Sequence, residues 1–406
     1  MKWFKTKQVR NRIFYTIFIL ILFQIGTFLT LPGVKSTSGG SSTLSSLLNL
    51  TSGGSLSRFG ILALGVSPYV TASIIVQILS KGISKKYTEL QERGHSGQLK
   101  LSQYTRYWSL FFGITSGLAI LFTNDLSTLL SVKITATVPE RIMLAIILSA
   151  GGLFVSYLGD LINENGIGNG QSLLISSGIL TSLPLEFYNI FDEELFIRTK
   201  DFYISLGILI ASYVAIILFT YLINKKEFIM PLQSKTSLIQ TKAHYLPIKL
   251  LASSVVPVIF ATSSLTIIQA VSVMLGKQWE FLDFTTWMGM GIYSILIFVF
   301  TYLYNFVQVD SVKISKDLVR SGLYIIGIPD KDSSKYLNKK IIHISNIGAP
   351  VLTSLAVFSI LIQKLSPVDF NLSLSGISLL IVVATFQEVY YQIKGLTEKN
   401  NYKELI

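Results

Sequence analysis

Residues 13–31, IFYTIFILILFQIGTFLTL, carry no charged side chain, and this stretch sets the class of the chain. A run of that length crosses the hydrocarbon core of a bilayer as a helix, which satisfies every backbone polar group internally. Nine further apolar stretches follow, at roughly 66–80, 104–123, 141–163, 170–184, 202–223, 250–276, 286–307, 341–363 and 372–393, separated by polar loops. The second and fifth are short and contain or follow glycine and proline. The expectation is an all-α multi-pass membrane protein of ten transmembrane helices.

Composition agrees. Of 406 residues 50% are hydrophobic and only 14% charged. The net charge of +12 fits basic cytoplasmic loops and does not require nucleic acid, which is not expected as a partner. Cysteine is absent, which excludes disulfides, thiolate metal sites, Fe–S clusters and a cysteine nucleophile. The basic N-terminus MKWFKTKQVRNR precedes the first run, but that run is long for a signal-peptide core and ends in Leu31-Pro32-Gly33, unlike a small-x-small cleavage site. It reads as a retained first span.

Loop charges orient the bundle. Lys2, Lys5, Lys7, Arg10 and Arg12 precede the first span. Segment 81–106 holds Lys81, Lys85, Lys86, Arg93, Lys100 and Arg106 against Glu89 and Glu92. Segment 224–249 holds Lys225, Lys226, Lys235, Lys242 and Lys249 against Glu227, and segment 308–340 is also basic. The alternate segment 185–201 is acidic, and 124–140, 277–285 and 364–371 are near neutral. This alternation places both termini in the cytoplasm. Asp160 and Glu164, in what reads as the loop after the fourth span, run against it. Ten spans divide into five plus five, and an odd number per half makes two related halves antiparallel, as in inverted-repeat transporters. The expected division is 1–201 and 202–406.

Residues 36–58, STSGGSSTLSSLLNLTSGGSLSR, are too polar to span lipid yet carry Leu44, Leu47, Leu48, Leu50 and Leu56. Such a segment is either an external loop or re-enters a protein-lined cavity, where irregular backbone is tolerated. Gly166-Ile167-Gly168-Asn169-Gly170 lacks the Lys-Ser/Thr of a phosphate loop and lies between membrane helices. It reads as a tight turn in which glycine permits left-handed backbone and close helix approach.

Catalysis has no candidate constellation. Gly94-His95-Ser96-Gly97 resembles an intramembrane serine-protease motif but lies in a charged loop, with no intramembrane histidine as base. Tyr157-Leu158-Gly159-Asp160 has no second intramembrane aspartate to form a dyad. No metal or other cofactor is expected, and the chain does not read as an enzyme. The span interiors are almost free of ionisable groups, since Glu388 and Lys249 lie near interfaces where they can snorkel. That argues against proton- or sodium-coupled transport and fits a conduit driven by a partner. The interior polar groups Gln77, Gln171, Ser253, Ser254, Gln269 and Gln387 serve either helix–helix hydrogen bonds or a water-filled path.

Several segments, in order, resemble the SecY family of protein-export channels. They are Ser52–Arg58 (SGGSLSR) with Ala63–Gln77 (ALGVSPYVTASIIVQ), Ser102–Tyr107 (SQYTRY), Gly166–Gly170, Leu246–Lys249 (LPIK) with Val256–Ala261 (VPVIFA), and Ser378–Val383 (SLLIVV). The resemblance implies an hourglass pore around a central axis, closed by a plug near residues 44–64 that includes Leu47, Leu48, Gly53, Gly54, Ser57 and Arg58. It implies a waist ring of Val66, Val70, Gln171, Ile175, Ile259 and Ile381, a narrow collar that resists wetting without gripping one peptide sequence. It implies a lateral gate between the second-third and seventh-eighth spans, carrying Thr71, Ser73, Gln77, Ser253 and Ser254, that admits signal peptides of secreted preproteins. It implies motor-docking loops with Lys235, Lys242, Lys316, Arg320, Gly327 and Pro329, small SecE- and SecG-like subunits, a SecA-type ATPase motor, and the bacterial plasma membrane.

The chain departs from the family pattern in three places. Gln171 stands where the family has an apolar ring residue, so a more polar waist is expected. Loop 224–249 is short and lacks paired arginines, and Pro329 or Asp330 stands near the place of the family's loop arginine. A shortened chain with altered motor loops is similar to the accessory SecY of some Gram-positive cocci. That group works with an accessory SecA and exports large serine-rich, often glycosylated surface adhesins. A housekeeping SecY, a small-solute secondary transporter and a non-transporting membrane scaffold are the alternatives.

Overall fold

The computed structural model describes residues 7–32, 34–36, 60–122, 132–134, 137–193, 200–234, 244–249, 256–274, 279, 286–309, 311–365 and 376–403. The chain is mainly helical. Helices stand on all the apolar stretches: α1 Lys7–Thr27, α2 Ser67–Ile78, α4 His95–Phe122, α5 Val138–Asn165, α6 Gly170–Glu193, α7 Lys200–Asn224, α8 Val256–Met274, α9 Trp287–Gln308, α11 Ser333–Leu365 and α12 Gly376–Lys403. Two short polar helices lie between them, α3 Lys85–Glu92 and α10 Ser311–Arg320. Among the described residues, four stretches are long and apolar enough to cross a membrane: Lys7–Thr27, Val138–Asn165, Trp287–Arg320 and Ser333–Phe358.

Local chemistry sets several ends. The Thr137 backbone N–H donates to Glu140 Oε2 at 2.7 Å and Pro139 stands in the first turn of α5, both favourable where helix N–H groups lack partners. Thr286 Oγ1 caps α9 by accepting from the Gly289 N–H at 3.0 Å. Helix α2 has 12 residues, about 18 Å, too short for a hydrocarbon core of about 30 Å. Buried turns at Gly60–Val66 precede it and a π-turn, Leu79–Ile83, follows.

The expectation of helices and loops alone needs amendment. Strands β1 Val34–Ser36 and β2 Val132–Ile134 pair antiparallel. In the segments read as motor-docking loops, β3 Glu227–Ser234, β4 His244–Lys249 and β5 Leu323–Ile325 form an antiparallel sheet in the order β4-β3-β5. Alternate residues Met230, Leu232, Ile248 and Ile325 turn inward against Leu337 and Ile344 of α11, the period-2 logic of a half-buried sheet. Asp160, read above as a loop residue, lies within α5.

Large apolar side chains cover the outside of the bundle. Phe14, Phe18, Ile21 and Ile25 of α1 are exposed, Phe18 to 61%, as are Met143, Ile146 and Phe154 of α5 and Ile295 and Val299 of α9. A surface of this kind would drive aggregation in water and is the lipid face of a membrane bundle.

Candidate functional site

The largest contiguous core joins both ends of the chain. Val66 stands just before α2, Val70 on α2, Ile175 on α6, Ile259 on α8 and Ile381 on α12. All five are between 1% and 6% exposed and belong to one packed cluster. They come from four separate elements and share short, branched, apolar side chains with no hydrogen-bonding group, so water finds no partner among them.

Gln171, the sixth residue expected in the ring, is polar and hydrogen-bonded. Its Oε1 accepts from Asn163 Nδ2 at 3.0 Å, and its Nε2 donates to Asp160 Oδ1 at 3.4 Å. Its amide is therefore engaged with α5. A Cβ on Gly159 of that helix would stand 3.0 Å from Gln171 Nε2, which keeps this flank free of side chain.

Three helices meet the same carboxylate. Arg106 Nη2 of α4 donates to Asp160 Oδ2 at 2.9 Å, Tyr69 Oη of α2 donates to Oδ1 at 3.4 Å, and Gln171 of α6 is the third donor. Asn163 Oδ1 also accepts from the Gly170 N–H at 2.8 Å. Sequence reasoning missed this cluster, although the signal was present. An arginine near the start of one apolar run and an aspartate near the end of the next lie at the same face of an antiparallel pair.

The glycine turn after α5 behaves as its composition predicts. Gly168 has φ +89, and a Cβ on Gly170 would stand 2.0 Å from the Gly159 carbonyl oxygen. The turn also ties distant elements together. Thr16 Oγ1 of α1 accepts from the Ile167 N–H at 2.9 Å, and Gln392 Oε1 of α12 accepts from the Gly168 N–H. A buried Ser176 Oγ–Thr385 Oγ1 bond of 3.0 Å joins α6 to α12.

On another side of the core, α2 and α4 pack directly on α8. A small cavity at this seam is lined by Ile74, Gln77 and Ile78 of α2 and by Phe260, Phe300, Leu303 and Tyr304. Phe260 meets the rings of Phe300 and Tyr304, each at 6.0 Å between centroids. Two polar side chains of α2 bond within the helix: Gln77 Nε2 donates to Ser73 Oγ at 2.7 Å and Thr71 Oγ1 to the Ser67 carbonyl at 3.1 Å. Ser253 and Ser254 lie outside the described residues, as do the plug positions Leu47, Leu48, Gly53, Gly54, Ser57 and Arg58 and the loop lysines Lys235 and Lys242.

Lys316 and Arg320 are exposed on α10, and Arg320 makes a long contact with Asp317 at 3.9 Å. Gly327, with φ +78, and Pro329 are exposed in the turn between β5 and α11. Among the described residues no group of acidic, histidine or cysteine side chains has the arrangement of a metal site.

The fold is that of the protein-conducting channels. It superposes on a solved structure described as a protein-conducting channel with a TM-score of 0.73 at 16% identity, covering 96% of this chain and 93% of that one. A second solved structure, of a SecY protein whose plug domain stabilises the closed state of its channel, matches with a TM-score of 0.68 at 17% identity over 96% and 92% of the two chains. The SecY family model matches residues 60–390. The protein translocase subunit SecY of Streptococcus sanguinis is 34% identical over 98% of this chain and 96% of its own. That of Staphylococcus epidermidis is 33% identical over 99% and 98%. The chain belongs to the SecY family of protein translocase channel subunits.

Proposed function

We propose that this chain is a passive pore through which unfolded polypeptides cross the bacterial plasma membrane. In this reading ten spans form two inverted halves, 1–201 and 202–406, with both termini in the cytoplasm. The observation that carries it is the convergence of Val66, Val70, Ile175, Ile259 and Ile381 from four elements into one dry, apolar cluster. Such a collar closes against ions at rest, because an apolar constriction dewets, and it yields around any passing sequence because it offers no specific bond. Gln171 completes the ring at its rim, where its amide bonds to Asn163 and Asp160 of α5.

The remaining parts follow the family logic. The seam of α2 and α4 against α8 and α9 is the lateral gate for signal peptides, with Thr71, Ser73, Gln77, Ser253 and Ser254 along it. The segment near 44–64 is the plug. ATP hydrolysis belongs to a SecA-type motor seated on the β4-β3-β5 sheet and the turn at Gly327 and Pro329, with Lys235, Lys242, Lys316 and Arg320 around it. Small SecE- or SecG-like subunits complete the complex.

The divergence of the motor-facing loops supports an accessory system, with an accessory SecA and serine-rich glycosylated adhesins as cargo. Reconstitution into liposomes with a motor and a signal-bearing preprotein tests the reading. ATP-dependent protection of the preprotein from added protease is expected, and equal protection in protein-free liposomes would contradict it. Pairing with an accessory motor but not a housekeeping motor would establish the accessory assignment.

A further inference from the structure

We infer that Asp160 is a positioning residue that holds, through one carboxylate, the two helices presenting the collar residues of the N-terminal half. This rests on the pore reading above and deepens it. Tyr69, which donates to Asp160 Oδ1 at 3.4 Å, lies between Val66 and Val70 in the sequence of α2. Gln171, the other donor to Oδ1 at 3.4 Å, stands one helical turn before Ile175 on α6. The carboxylate thus fixes Val66 and Val70 from one side and Ile175 from the other.

Arg106 takes the second oxygen, Oδ2, at 2.9 Å. Its side chain is 49% exposed and that of Asp160 17%, so the guanidinium reaches toward water while the carboxylate stays inside. The division of labour follows from this geometry. The exposed ion pair contributes little by itself but gives the carboxylate a charged partner at the edge of an apolar bundle, where an unpaired charge is unfavourable. The neutral donors use the other oxygen to set helix position. Neither α2 nor α6 has a charged group of its own at this level that could replace it.

The cysteine-free background permits spin labels at chosen sites. Nitroxides at Ile75 on α2 and Phe154 on α5, and separately at Thr181 on α6 and Phe154, report the two helix positions in purified, bilayer-reconstituted protein. The parent gives narrow distance distributions for both pairs. Tyr69→Phe, which keeps the ring and so the packing, broadens the α2 pair only. Asp160→Leu broadens both, whereas Arg106→Gln leaves both close to the parent because the two donors to Oδ1 remain.

Resting ion current through the collar rises about fivefold in Tyr69→Phe, the population change that loss of one such hydrogen bond allows. Equal broadening in Arg106→Gln and Asp160→Leu would reduce the cluster to an ordinary ion pair. Unchanged distributions in both Tyr69→Phe and Asp160→Leu would overturn the inference whatever the transport result. A broadened α2 pair with unchanged current would leave the positioning role standing and count against the collar as the ion seal.

Discussion

Gly151 of α5 lies so close to Ile61 that a Cβ on it would stand 2.1 Å from the Ile61 carbonyl oxygen. The neighbouring Gly152 faces the Gly65 carbonyl oxygen at 3.5 Å, and Gly26 of α1 faces Leu62 Cδ1 at 2.7 Å, by the same measure. Three glycines from two helices thus make the slot in which Gly60–Val66 lies buried. That segment delivers Val66 to the apolar cluster of Val70, Ile175, Ile259 and Ile381 and leads into α2.

Gly151→Ala must displace this backbone. Overpacking at a rigid contact costs about 1–3 kcal/mol, so the thermal unfolding temperature in detergent should fall and resting ion leak should rise. Gly207→Ala, in α7 with open space around it, should leave the unfolding temperature unchanged or raise it. Equal effects at the two sites would dissociate the slot from the fold.

The collar makes its own prediction. If the apolar cluster around Ile259 and Ile381 is the proposed pore constriction, Ile259→Ser with Ile381→Ser places hydroxyls in it, so resting conductance should rise in planar bilayers. Ile259→Leu with Ile381→Leu preserves apolarity and should keep conductance near the parent value. If the serine and leucine pairs leak alike, wetting of the collar does not control the pore.

Buried polar contacts lock neighbouring helices. Asn305 Nδ2 of α9 donates to Ser345 Oγ of α11 at 2.9 Å, both side chains being buried. Asn224 Nδ2 of α7 donates to Gln387 Oε1 of α12 at 2.7 Å. A double-mutant cycle on Asn305→Ala and Ser345→Ala should give a coupling of about 0.6–2 kcal/mol, the range for interhelical bonds in membranes. A coupling indistinguishable from zero would assign these groups to the bonds within their own helices.

The turn at Gly168 permits another test. With φ +89 and a Cβ that would meet Leu173 and Val389 side chains at 2.8 Å, Gly168→Ala is strained in its backbone, by about 1–2 kcal/mol, and in its packing. It should lower the unfolding temperature more than Gly322→Ala, which shares the positive φ but has nothing near it. The reverse order would mean that the link from this turn to Gln392 of α12 carries little.

The helices were legible because apolar runs have lengths that lipid dictates. Their polar extensions were not: α1 begins at Lys7 and α11 at Ser333, and hydropathy is blind to helix that continues into the interface. The sheet was hidden by Pro231 and Pro247, residues that argue against strands. The register tolerates Pro231 because β5 joins β3 only from Leu232 onward, and Pro247 because β4 is an edge strand among the described residues. The place of Gln171 in the ring rests on a motif, and the partners of its amide are not encoded there. Its amide meets Asn163 and Asp160 on α5, and Asp160 was read as a loop residue beyond the span.

Disulfide trapping tests the path of the polypeptide most directly, and the absence of native cysteine makes it clean. One cysteine replaces Ile259, and a second is placed in the mature region of a signal-bearing preprotein stalled during export. The account predicts a cross-link on oxidation that requires the motor, ATP and the signal peptide. Cross-links at exposed loop positions such as Gly327, with none at Ile259 under the same conditions, would contradict the collar as the route of the chain.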